Sequence, residues 1–176
     1  MSPLPEFAFA VNRNPAVAVG LPIALGIISN YASAKIRSKR TGQAAKATCP
    51  PHPAYSYIWM AASGLLGYAA HLTTRSFDAA VTHQSTEDAS NALVLYYATL
   101  GLQLLWEPLF IGGNKKEAAL VNSVALLGTA ITMAIKMNDL ATNPVSTNWF
   151  TIPYCVWIGY TTYLNASVVL SAKKQH

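Results

Sequence analysis

The sequence predicts an all-α integral membrane protein, a single domain built as a bundle of five transmembrane helices. Of its 176 residues, 52% are hydrophobic and only 11% are charged, against about 25% charged residues in ordinary soluble domains. A soluble helical bundle would need charged outer faces, and the apolar segments of this chain have none to offer. About 20 apolar residues are enough to cross the bilayer core, and five long stretches carry no charge: residues 15–34, 53–74, 89–106, 118–135 and 140–172.

The first two predicted helices are separated by a basic loop. The first helix covers about residues 15–34, with Pro15 in its first turn and Pro22 at a kink. The start of the chain contains prolines and lacks the basic segment of a signal peptide, so we expect this helix to be retained. The second helix is predicted at about 53–74. The loop between the two helices carries five bases, Lys35, Arg37, Lys39, Arg40 and Lys46.

The other three predicted helices follow closely on one another. A polar stretch, residues 75–90, precedes the third helix at about 89–111, which ends at a pair of glycines expected just past a helix end. A short basic turn then leads to the fourth helix, about 117–137, so these two helices are predicted to be antiparallel neighbours. The fifth helix is predicted at about 149–172.

The distribution of Lys and Arg predicts the orientation of the bundle. With five crossings, the first loop, the turn at 114–116 and the C-terminal tail lie on one side and hold nine bases, whereas the other side holds only Arg13, Arg75 and Lys136. Because cytoplasmic loops carry the excess of bases, the C-terminus is predicted to be cytoplasmic. The same placement explains the net charge of +5 without nucleic acid as a partner.

The reactive residues predict neither a catalytic centre nor a metal site. Cys49 and Cys155 form no disulfide framework and no metal-ligand cluster. The sequence also lacks a nucleophile paired with a base and a phosphate-binding loop, so no catalytic residue is assigned. His52 and His71 are alternative haem ligands, but a single His near a helix end more often forms an interfacial hydrogen bond.

Three predicted helices each carry a face of aromatic and hydrogen-bonding side chains. Amides are costly in lipid and should face protein or a cavity. One interpretation is that these faces hold the helices together and form interfacial aromatic belts. The other is a pocket for a flat apolar ligand, since indole rings and a few polar groups suit one. The candidate ligand-binding residues are Tyr55, Trp59 and Ser63 on the second helix, Tyr96, Thr99, Gln103 and Trp106 on the third, and Tyr154, Trp157, Thr161 and Asn165 on the fifth.

At these residues the chain resembles the TspO/MBR translocator family over roughly residues 15–170. The second-helix motif, a Pro-Pro pair and then an aromatic-Trp segment, is similar to Pro50, Pro51, Tyr55, Ile58 and Trp59, followed by Gly67. The third-helix motif is similar to Gln103, Trp106, Pro108, Leu109 and Phe110. The fifth-helix motif matches Pro153, Tyr154, Trp157, Leu164 and Asn165.

The sequence also departs from that family at several positions. Ser63 stands where the family usually has Tyr, Gln103 where it has Asn, and the first loop lacks Trp. These changes keep hydrogen-bonding capacity in the helices but alter the volume of a pocket. The cholesterol-recognition pattern of animal members is absent from the end of the fifth helix, so sterol binding through that segment is not supported.

The resemblance implies three functional hypotheses. The first is a receptor or carrier that binds a porphyrin, haem or another planar lipophile, with no cofactor required. The second is an enzyme that degrades porphyrins in light through pocket tryptophans, for which Trp59 and Trp157 occupy the matching positions. The third is a non-catalytic membrane scaffold linked to stress response.

The resemblance also carries expectations about location and partners. It implies a multi-pass protein of the mitochondrial outer membrane or another organelle membrane in a eukaryote. The expected partners are the lipid bilayer, a small lipophilic ligand and a second copy of the chain in a homodimer. Rows of small residues on the first two helices permit close packing within or between subunits.

Overall fold

The structure, a computed structural model, describes residues 4–38, 54–107, 109, 116–140 and 145–173. Within the helices, the side chains of residues 30, 32–38, 54–55, 107 and 172–173 lie outside this description. The described ranges contain six α-helices and no strand, which confirms the all-α prediction. The helices are α1 (Glu6–Arg13), α2 (Pro15–Ser38), α3 (Ala54–Asp78), α4 (His83–Glu107), α5 (Lys116–Asn138) and α6 (Asn148–Lys173).

The five long helices form a closed ring. Going round it, α2 packs on α3, α3 on α6, α6 on α5, α5 on α4, and α4 returns to α2. An additional contact between α3 and α4 crosses the ring. The short helix α1 packs against α3 and α2. This arrangement brings α3, α4 and α6, the three helices with aromatic and polar faces, toward a common interior.

Apolar side chains cover both the inside and the outside of the ring. The core is built around buried Leu66, Leu93, Leu126, Met133 and Ile158. On the outer surface, α5 by itself contributes four exposed apolar side chains, Val121, Val124, Ile131 and Ile135. Other helices expose further apolar residues. A soluble bundle would place polar side chains there, whereas an apolar outer surface suits helices surrounded by lipid.

The hydropathy of the described helices singles out α5. It is by length and composition apolar enough to cross a membrane, and only 33% of that apolar stretch is buried in the bundle. The segments Glu6–Arg13 and Pro15–Ser29 pass the same test together, but they are bent by 105°. Polar side chains lower the mean hydropathy of α3, α4 and α6, and the count of five spans therefore stays a prediction.

Helices α2 and α3 pack closely where Gly67 meets the backbone of α2. A Cβ atom added at Gly67 would collide with the carbonyl oxygen of Ala18 and lie 3.0 Å from Pro22 Cγ. Proline has no N–H, so Pro22 gives the Ala18 carbonyl, four residues earlier, no helical hydrogen bond. The Ala18 carbonyl, which lacks that donor, therefore lies against Gly67, whose missing side chain leaves space for it.

Helix α4 begins six residues earlier than predicted, at His83 rather than near residue 89. Thr82 and Ser85 form a reciprocal cap, in which each hydroxyl accepts a hydrogen bond from the other residue's backbone N–H, at 3.2 and 3.3 Å. Gln84 and Asp88 add a hydrogen bond one turn apart. This polar turn lies outside the charge-free stretches, because capping and not burial stabilises it.

Helix α1 was not predicted, since the sequence showed no apolar run of sufficient length before residue 15. Asn14 ends it in an extended conformation, as expected for a residue that precedes proline. The Asn14 side chain then caps α2 by accepting a hydrogen bond from Ala16 N at 2.9 Å. The available signal was the pattern Ala8, Phe9 and Asn12, one face of a helical turn, all of which are buried.

Candidate functional site

Three of the predicted site residues form a hydrogen-bonded chain inside the ring. The Gln103 amide nitrogen donates to Ser63 Oγ at 3.0 Å, and the Tyr154 hydroxyl donates to Gln103 Oε1 at 3.0 Å. All three side chains are buried, and they come from α4, α3 and α6. We call Ser63, Gln103 and Tyr154 the interior network. The Gln103 amide links the three helices, because its nitrogen donates one hydrogen bond and its oxygen accepts the other.

Two further predicted residues lie on the same face of α4. Thr99 and Tyr96 are one and two turns before Gln103, and both side chains are completely buried. Among the described residues, neither hydroxyl makes a hydrogen bond. The Tyr96 ring instead packs edge-on against Tyr97, with 5.0 Å between ring centroids. This face therefore presents two buried hydroxyl groups beside the interior network.

Two of the predicted tryptophans stack on each other. The rings of Trp59 on α3 and Trp106 on α4 are 6.2 Å apart between centroids and inclined by 27°. A Cβ at Gly26 would lie 3.9 Å from Trp59 Cδ1, so this indole lies against α2 as well. The sequence placed both residues on inward faces, and the structure brings them together.

The third predicted tryptophan, Trp157, lines a groove between α3 and α6. The groove has a volume of about 390 Å³, is open to the outside of the ring and is almost entirely apolar. Trp157 and Tyr160 form its aromatic side, with ring centroids 5.7 Å apart. We call it the α3/α6 groove, lined by Ile58, Ala61, Ala62, Leu65, Pro153, Val156, Trp157 and Tyr160.

The remaining predicted residues lie apart from these groups. Asn165 Nδ2 donates to Ser123 Oγ on α5 at 2.7 Å, and Thr161 Oγ1 donates to the carbonyl of Ile158 in its own helix at 3.0 Å. Asn165 therefore joins α6 to α5, as expected for a polar side chain that holds membrane helices together. Tyr55 falls in the first turn of α3, and its side chain lies outside the described residues.

A polar cluster between α1 and the bundle was not predicted as a unit. His71 Nδ1 donates to the backbone carbonyl of Asn12 at 2.8 Å, and the Asn12 amide donates to the Tyr97 hydroxyl at 3.1 Å. The Tyr97 hydroxyl donates in turn to the carbonyl of Ala8 at 2.6 Å. His71 is thus engaged in a structural hydrogen bond, in keeping with the interfacial interpretation of this residue.

An ion pair and an aromatic stack complete the attachment of α1. Arg13 binds Asp78 through two nitrogens, at 3.0 and 2.9 Å. The hydrogen bond and the charge of Asp78 raise the pKa of Arg13 above its ordinary value. Phe9 stacks on Phe77 with ring centroids 4.3 Å apart. The helix is therefore tied to α3 and α4 by polar, charged and aromatic contacts.

No group of three or more His, Cys, Asp or Glu side chains within the described ranges is placed to hold a metal ion.

Two polar contacts of α5, made by Asn122 and Ser123, were not predicted from the sequence. Asn122 donates to the carbonyl of Leu102 at 2.9 Å, and Ser123 accepts from Asn165. Their signal is a pair of adjacent polar residues in an otherwise apolar helix, which marks a contact side.

The aromatic and polar positions on α3, α4 and α6 are those that carried the family resemblance. The sequence model of the TspO/MBR family matches residues 18–170. The chain belongs to the TspO/MBR family. Helix α1 precedes the matched range, so its attachment to α3 and α4 is a feature of this chain outside the family match.

Two TspO/MBR relatives support the assignment. A translocator protein homolog of Schizosaccharomyces pombe is 34% identical over 121 residues, 69% of this chain and 70% of that protein. A translocator protein of Sus scrofa is 28% identical over 119 residues, 68% of this chain and 66% of that protein. No solved structure matches the chain. The protein is therefore a translocator-type membrane protein.

Proposed function

We propose that this TspO/MBR protein is a receptor or carrier for a planar lipophilic ligand such as a porphyrin or haem. The observation that carries the proposal is the α3/α6 groove, whose two helices also carry Ser63 and Tyr154 of the interior network. A volume of about 390 Å³ falls within the range of about 300–1,000 Å³ typical of small-molecule sites. The protein itself supplies the site, and no cofactor is required.

The chemistry of the groove favours a flat, apolar ligand. Trp157 and Tyr160 provide aromatic faces, and π-systems pair with such faces at an offset or at an angle. Ala61 and Ala62 on the opposite wall are small and leave width for a ring system. A flexible aliphatic ligand would not need the aromatic wall. The groove holds no charged side chain, so the carboxylates of a porphyrin would lie outside it.

The polar groups inside the ring support selectivity for ligands with hydrogen-bonding atoms. Tyr96 and Thr99 place two hydroxyls inside the ring, next in line to the Gln103 amide. A hydroxyl buried in an apolar environment binds a polar ligand atom with little competition from water. Pyrrole nitrogens or peripheral polar groups of a tetrapyrrole meet this requirement.

For its setting we propose five transmembrane helices with a cytoplasmic C-terminus, in an organelle membrane such as the mitochondrial outer membrane. The apolar outer surface of the ring and the nine-to-three distribution of bases support this arrangement. Most of the bases on the cytoplasmic side lie outside the described residues. A homodimer is also proposed, with the exposed small-residue row Ala16, Gly20 and Ala24 of α2 as a surface for close packing.

A ligand titration tests the proposed function. Purified protein in lipid nanodiscs is titrated with protoporphyrin IX, haem and a sterol, and binding is followed by quenching of tryptophan fluorescence. Saturable quenching by the tetrapyrroles, stronger than by the sterol, is the expected result. Absence of saturable binding by all three compounds contradicts the proposal and favours the scaffold hypothesis. Illumination of the bound porphyrin decides on the enzyme hypothesis, since degradation would remove its absorbance.

A further inference from the structure

We infer that the ligand enters sideways from the hydrocarbon region of the bilayer, through the α3/α6 groove. This inference rests on the proposed function, because it assigns an entrance to the same site. A lipophilic ligand is concentrated in the bilayer, and the groove opens on the outer surface of the ring. The route therefore takes the ligand from lipid to protein without passing through water.

The groove and two members of the interior network are neighbours along α3 and α6. Its lining includes Ala62 and Pro153, and the next residues in the chain, Ser63 and Tyr154, are members of the network. Helices α3 and α6 therefore carry both the groove lining and two members of the network. The groove lining is almost entirely apolar, so a ligand that enters from lipid displaces no water from charged groups.

One end of the ring is closed to a bulky ligand. There α1 is bent by 105° from α2 and lies against α3. Its closure includes the buried bond from His71 to the Asn12 carbonyl and the stack of Phe9 on Phe77. Opening this end would break several polar contacts at once, whereas the groove is already open on the outer surface of the ring.

Helix α6 has a weak point at the groove. Pro153 lies inside α6 and lines the groove, and it cannot donate the helical hydrogen bond to the carbonyl four residues earlier. Helices bend at such positions. The contact between α2 and α3 offers no comparable freedom, because Gly67 lies directly against the Ala18 carbonyl. Bending of α6 at Pro153 therefore widens the ring at the groove in preference to the α2/α3 contact.

The test is a rate measurement with the groove filled by a larger side chain. In A61W and, separately, V156W, an indole is added at an exposed position of the groove wall. The matched control is A125W, at an exposed position of α5 on another side of the ring. Protoporphyrin IX dimethyl ester is mixed with each protein in phosphatidylcholine nanodiscs, and association and dissociation are followed by stopped-flow quenching.

An entrance at the groove predicts that association slows by about tenfold in A61W and V156W and stays unchanged in A125W. A third variant, R13A, loosens α1 at an exposed ion pair and should leave both rates unchanged. Unchanged association in both groove variants, equal slowing in A125W, or faster association in R13A would overturn the entrance while leaving the binding function intact. Failure of the wild-type protein to bind overturns the proposed function and the entrance together.

Discussion

Gln103 joins three helices through one side chain. Its amide nitrogen serves Ser63 on α3, and its carbonyl oxygen accepts from Tyr154 on α6. Both partners are buried, and Gln103 is their only described side-chain link across the ring. Loss of this amide would leave two buried hydroxyls to find other partners.

Replacement of Gln103 by Leu should therefore destabilise the protein. An unsatisfied buried polar group costs about 1–3 kcal/mol, and we expect a loss of free energy of unfolding in that range. Denaturant unfolding in detergent, followed by tryptophan fluorescence, measures it. The control is Thr132→Val, since the Thr132 hydroxyl is exposed and bonds only to its own helix. Equal stability of both variants would show that the interior network does not hold the ring together.

At the scale of helices, two glycines in apolar segments differ in the space around them. Gly67 on α3 touches the backbone of α2, whereas a Cβ at Gly128 on α5 would meet nothing within 4 Å. Gly67→Ala should lower stability by about 1–3 kcal/mol through overpacking. Gly128→Ala should raise it by about 0.5–1 kcal/mol, because alanine loses less backbone entropy in a helix. Thermal unfolding of both variants checks this prediction, and a tolerated Gly67→Ala would contradict the close approach of α2 and α3.

The charge-free stretches overlap with the five long helices. The reason is that a helix suited to lipid cannot carry many charged side chains. The helix ends were predicted less well, since α4 begins at a polar cap and α3 continues to Asp78, four residues beyond the apolar run. Helix α1 escaped prediction because its eight residues are held by contacts with α3 and α4, distant in sequence. Local patterns of hydropathy carry no information on such contacts.

Side-chain periodicity predicted a large part of the candidate site. It placed Ser63, Gln103 and Tyr154 on inward faces, and these three residues meet. Periodicity gives only the face of a helix, however, and not the neighbour that the face meets. That is why Asn165 bonds to Ser123 on α5 and Trp157 lies in the groove, while Trp59 stacks on Trp106.

For the whole molecule, orientation in the membrane follows from the bases and can be measured directly. In a variant without Cys49 and Cys155, a single cysteine is placed at Gln175 in the tail or at Val81, which is 95% exposed between α3 and α4. A membrane-impermeant thiol reagent on the cytoplasmic side should label the first variant and not the second. Labelling of Val81→Cys from the cytoplasm would contradict the predicted orientation.

The central claim is that the α3/α6 groove binds a planar ligand, and substitution of one indole tests it most directly. Trp157 lines the groove, whereas Trp149 begins the same helix and is 76% exposed. In a titration with protoporphyrin IX in nanodiscs, Trp157→Phe should weaken binding by about threefold to tenfold, since an aromatic contact contributes about 0.5–1.5 kcal/mol. Trp149→Phe should leave the dissociation constant unchanged. Equal affinities of the two variants, or a larger loss at Trp149, would contradict the claim.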